Sequence, residues 1–123
     1  MERLDNNSFN EKVINFDNKD FAYRGIVPTI VLFSAEGEYF NKMQEFFNSI
    51  EKLYAGNAHF YFVDVNDQPE LAVKLGIRAV PTTMIFPVKS EPVVLSGLIN
   101  TQEGLEKILI KFLKLPMVAI CNG

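Results

Sequence analysis

The chain predicts an α/β fold: a mixed sheet of four or five strands with helices on both faces. Three observations carry this. Two continuous apolar runs with β-branched and aromatic residues, "TIVLFSA" and "AHFYFVDV", have the character of central strands buried on both faces. A long amphipathic helical pattern lies between them, and strands separated by helices form parallel pairs. Two further strand runs, "TTMIF" and "PVVLSG", are joined only by "PVKSE", a connection that suits an antiparallel hairpin.

The elements follow in order. Residues 1–4 are placed as a first edge strand. "SFNEKVINF" begins with a capping box, in which Ser8 caps the amide of Glu11 and Glu11 reaches back to Ser8. Phe9, Val13 and Phe16 follow at helical spacing. "DNKDFAYRGIVP" reads as a loop before the first central strand. In the long helix Phe40, Met43, Phe47, Ile50 and Tyr54 fall on one stripe, and Gly56 closes it as a left-handed cap. "DQPELAVKLG" predicts a short helix with Asp67 as cap, Pro69 in the first turn, Glu70 completing a capping box and Gly76 after the end. Thr101 caps the last helix. Its apolar face is Leu105, Ile108, Leu109, Phe112 and Leu113, and Pro116 stops it. The domain therefore spans residues 1–115, with a short carboxy-terminal tail over 116–123.

Composition narrows the function. With 123 residues, 48% apolar residues and eleven Phe, the chain suits one domain with a single core. A net charge of −3 and the lack of any Lys/Arg-rich run argue against nucleic acid as a partner. No apolar run has the length of a membrane-spanning helix. The polar start "MERLDNNSF" lacks the features of a signal peptide, so the cytoplasm is the expected location. One cysteine, Cys121, makes neither an intrachain disulfide nor a Cys-x-x-Cys pair, and it does not suggest a zinc site. The single His59 has no second His or Cys near it and reads as a strand residue. No metal or cofactor is expected.

The element order, taken with "LGIRAVPTTMIF" (residues 75–86), resembles the thioredoxin family over nearly the whole chain. The resemblance implies a thioredoxin fold with a cis-proline at Pro81. "VDVN" (residues 63–66) is similar to the family's strand before its third helix, and "SGL" (residues 96–98) to a glycine-containing turn beside the active site. "VLFSAEGEYFNKM" (residues 31–43) falls where the family carries tryptophan, cysteine, glycine, proline and cysteine. The loop over residues 16–28 is longer than in short thioredoxins.

The departures from that pattern decide the expected function. The two cysteine positions are occupied by Glu38 and Asn41, the tryptophan position by Gly37, and the intervening pair by Tyr39 and Phe40. Thiol–disulfide exchange needs an attacking thiolate and a resolving thiol, and neither Glu nor Asn supplies one. The resemblance also places Leu32 where the family buries an aspartate, and Phe62 where it has a lysine on the adjacent strand. An unpaired buried charge costs several kcal/mol, so apolar residues are favoured there once the chemistry is gone.

The expected site is therefore a former substrate groove formed by Gly37, Tyr39, Phe40, Val80, Pro81 and Gly97. It would hold an unidentified protein or peptide. The resemblance implies that the residue before the cis-proline, Val80, offers its N–H and C=O to an extended chain. Phe40 either lines this groove or joins the helix's own apolar stripe. Pro81 is either part of a peptide site or purely architectural. Glu36 and Glu38 form a carboxylate pair compatible with general acid–base work. The partial positive charge at a helix amino terminus explains them better, since no His, Ser–His pair or metal cluster accompanies them. The alternatives are an oxidoreductase-related protein acting through Cys121 or through partner thiols, and a glutathione-binding protein.

Overall fold

The computed structural model describes residues 1–13, 27–35, 37–88, 91–97, 99 and 101–113, leaving aside the side chains of Glu38, Tyr39, Phe112 and Leu113. Phe16, most of the loop over 16–28, Glu36 and the tail over 116–123 with Cys121 lie outside the described residues.

The elements run β1 (Glu2–Arg3), α1 (Asn6–Lys12), β2 (Thr29–Ser34), α2 (Glu38–Leu53), β3 (His59–Asp64), α3 (Pro69–Lys74), β4 (Thr82–Phe86), β5 (Val93–Ser96) and α4 (Gln102–Leu113). One five-stranded sheet has the order β1-β3-β2-β4-β5. β3 pairs in parallel with both β1 and β2, while β4 is antiparallel to β2 and β5. The central strand β2 has neighbours on both sides and all six of its residues are buried. That is what its uninterrupted apolar run requires.

Alternation along β2 divides the core into two layers. Ile30 and Leu32 face the stripe of α2 (Phe40, Met43, Phe47, Ile50) and Leu105 and Leu109 of α4. Val31 and Phe33 face the other way, onto Phe9 of α1 and Leu71 of α3. Phe9 is fully buried, its ring centroid 6.2 Å from those of both Phe33 and Phe86. Burying such a side chain is worth roughly 1.5–3 kcal/mol.

Two of the expected helix caps are corrected. α1 starts at Asn6, and its cap is Asp5 rather than Ser8. The Ser8 N–H donates to the Asp5 carboxylate at 2.8 Å, and the Asp5 N–H donates to Ser8 Oγ at 2.8 Å. Ser8 is thus the reciprocal member of the box, where Glu11 had been placed. At α3 the Asp67–Glu70 box does not form. The cap residue is Gln68, without a side-chain bond to the helix, because the Asp67 carboxylate is engaged by Arg3. Gln68 instead accepts from the Asn6 N–H at 3.0 Å, tying α1 to α3. Pro69 opens α3 and Gly76 follows its end at φ +72°, a conformation that glycine takes without Cβ strain. The Thr101 cap is present, with Oγ1 accepting from the Gly104 N–H at 2.9 Å.

Candidate functional site

Strand register places the candidate residues at one end of the sheet. β2 ends at Ser34, beside the start of β4 through the pair Phe33–Thr82, and β5 ends at Ser96, opposite Thr82. The corner leading to α2, the segment before β4 and the turn after β5 therefore meet at the same end. Gly37, Val80, Pro81 and Gly97 occupy those three connections.

The segment before β4 is held at two points. The Gly97 N–H donates to the Pro81 carbonyl at 2.9 Å. Thr82 Oγ1 donates to the Ala79 carbonyl at 2.6 Å. The Val80–Pro81 peptide bond is cis. Between these anchors Val80 stands out: the residue is 43% exposed, and among the described residues its main-chain N–H and C=O have no hydrogen-bond partner. A residue fastened on both sides, with main-chain groups that have no partner among the described residues, has the chemistry needed to accept one step of strand pairing from another chain.

At the α2 corner, Gly37 is the cap residue, at φ +154° and with no side-chain cap bond. This backbone conformation is one that residues with a Cβ rarely adopt. Its carbonyl accepts from the Asn41 N–H at 3.0 Å, opening the helix. Asn41 is exposed. Glu38 and Tyr39 lie in the first turn, with side chains outside the described residues. The corner carries no sulfur.

Phe40, one of the expected groove residues, belongs to the core: it is 7% exposed. Its ring stacks on Phe62, with centroids 4.3 Å apart and planes inclined by 26°. Phe62 stands opposite Leu32 on β3, and Thr83 stands opposite Leu32 on β4. Around Leu32 the described neighbours in this layer are apolar apart from Thr83. Thr83 is fully buried, and its Oγ1 has no partner among the described residues.

A charged cluster that sequence reading did not find borders this layer. The Arg3 guanidinium lies 5.7 Å from the centroid of the Phe62 ring. It pairs with Asp64 at 3.3 Å and also with Asp67. The Asp64 side chain is only 6% exposed and also accepts from the Asn66 N–H at 2.9 Å. The pairing depends on β1 lying beside β3, with Arg3 opposite Phe62. Nothing local in the sequence encodes that neighbourhood.

Among the described residues no group of three His, Cys, Asp or Glu is arranged to hold a metal ion. None of the described helices is long and apolar enough to cross a membrane.

Comparison with known proteins agrees with this architecture. The sequence model of the family described as Thioredoxin matches residues 2–111. A curated protein named thioredoxin, from Borreliella burgdorferi, is 29% identical over 111 residues, which cover 89% of this chain and 94% of that protein. The crystal structure of chloroplastic thioredoxin z superposes with a TM-score of 0.73 at 17% identity, covering 90% of this chain and 92% of the other.

Proposed function

The chain belongs to the thioredoxin family, and from that premise we propose that it is a binding module without dithiol chemistry. It holds an extended peptide or protein segment along Val80 and Pro81. One observation carries this reading: at the sheet end where Glu38 and Asn41 leave no thiol, Val80 is exposed and its main-chain groups are without a partner among the described residues. Binding there draws on main-chain hydrogen bonds and apolar contact, not on a mixed disulfide.

Affinity capture with the wild type and with a Tyr39→Ala/Val80→Asp variant tests the reading. The expected result is loss of the captured segment with circular dichroism unchanged. Retention of the same partners by the folded variant would sink it.

The name of the Borreliella burgdorferi relative favours a second reading, thiol–disulfide exchange through Cys121 or through a partner's thiols. Insulin reduction by dithiothreitol separates the two. Our reading expects turbidity to develop at the rate of the blank. Acceleration that disappears in Cys121→Ser would establish the second reading instead. Titration calorimetry with glutathione, expected to show no heat of binding, tests the tripeptide alternative.

A further inference from the structure

Resting on the groove reading above, we propose that the segment held at Val80 carries a carboxylate side chain that pairs with Arg78, next to an apolar side chain seated on Val80. Arg78 is exposed and lies two residues before Val80 in the same connection. Its guanidinium makes no ion pair or hydrogen bond with any described residue. Arg3 is the contrast, since Asp64, Asp67 and the Phe62 ring occupy it fully. Lys12 and Lys107 are likewise paired, with Glu2 and Glu103. An acidic chain of net charge −3 thus has, next to exposed Val80, an arginine without an anionic partner among the described residues.

The chemistry of that cation selects the ligand. A guanidinium presents a planar fork of donors that matches a carboxylate with two parallel hydrogen bonds, and it is more weakly hydrated than an ammonium. In strand pairing, alternate residues emerge on the same side. A visitor paired at Val80 can therefore present an apolar residue there and an acidic one toward Arg78. The pair is solvent-exposed, which limits its effect on affinity to roughly two- to fivefold.

Selection of a random short-peptide library displayed on phage, run against the full chain, tests this. We expect clones that bind the wild type and are lost on Val80→Asp, with Asp or Glu enriched near an apolar residue. Selection on Arg78→Ser should keep the apolar residue and lose the acidic one. Selection on Arg78→Glu should enrich Lys or Arg there. For one synthesised clone, replacing the acid by its amide should weaken binding to the wild type roughly two- to fivefold and leave binding to Arg78→Ser unchanged. Clones that depend on Val80 but show no acidic preference, or keep it in Arg78→Ser, would overturn the Arg78 pairing and leave the groove reading standing. Absence of any Val80-dependent clone would overturn both.

Discussion

The Phe40 ring lies on the Phe62 ring at 4.3 Å, so the first turn of α2 is fastened to β3 by an aromatic stack. Leu32 stands beside Phe62 in register, and all three side chains belong to one cluster. Apart from the Thr83 hydroxyl, the described side chains around Leu32 in this layer are apolar. An aspartate introduced at Leu32 would enter this apolar cluster, and Arg3, the cation beside Phe62, is already engaged.

Leu32→Asp is therefore expected to destabilise the fold by about 3 kcal/mol or more, as an uncompensated buried charge. Phe40→Ala should cost roughly 3–5 kcal/mol through lost transfer energy and the cavity left behind. Urea unfolding followed by circular dichroism measures both. A loss under 1 kcal/mol for Phe40→Ala would mean that the ring is not packed as described.

Arg3 supplies the second prediction. Removing it in Arg3→Met leaves Asp64 almost fully buried with one main-chain donor and no cation. Loss of one partner of a buried pair costs roughly 3–5 kcal/mol, and the partial exposure of Arg3 and Asp67 moderates this. An intermediate loss of about 2–3 kcal/mol is expected. Arg3→Met combined with Asp64→Asn should recover part of it, because the second change removes the stranded charge. A double variant no better than the single one would show that Arg3 acts through its contact with Phe62 alone.

The difference between what was legible in the sequence and what was not follows the range of the interaction. The burial of β2 on both faces and the single stripe of α2 are local patterns of period two and 3.6, and "TIVLFSA" and the series from Phe40 to Tyr54 displayed them directly. The caps were harder. Asp5 and Ser8 are both good cap residues, and the choice between them depends on where Phe9 enters the core. Asp67 was a sound cap by local rules but lies 64 residues from the arginine that captures it. Phe40 fitted both the groove and the stripe in sequence, and the ring of Phe62 on another strand decided between them.

Asp5 gives the chain a titrating cap. The Ser8 N–H, and after it the Ser8 hydroxyl, hold its carboxyl below the ordinary carboxylate value. A folded value below the unfolded one contributes stability that is fully present above the unfolded pKa, about 3.9, and is lost as pH falls through the folded value. Asp5→Asn keeps a competent cap without the titration. Its stability should fall less steeply than the wild type's as the pH drops below about 4, and the two acid limbs in urea titrations would show this. Parallel limbs would remove Asp5 from the acid response.

The adjacent threonines at the start of β4 should respond in opposite directions to the same substitution. Thr83 is fully buried, its Oγ1 lacks a partner among the described residues, and it lies opposite Leu32 and Leu95. A buried unsatisfied hydroxyl costs about 1–3 kcal/mol, and an apolar group of the same shape removes that cost. Thr83→Val is therefore expected to raise stability by about 1 kcal/mol, at the lower end of that range. Thr82 Oγ1 donates to the Ala79 carbonyl at 2.6 Å, so Thr82→Val strands an acceptor beside Val80. It should lower stability by about 1 kcal/mol and loosen the connection that presents the Val80 main chain. Thermal unfolding measures the first effect. Hydrogen exchange over residues 77–81 measures the second, expected to be faster in Thr82→Val and unchanged in Thr83→Val. A destabilised Thr83→Val would mean that its hydroxyl is satisfied by internal water, and ordered solvent would then have to be counted as part of the layer beneath the α2 corner.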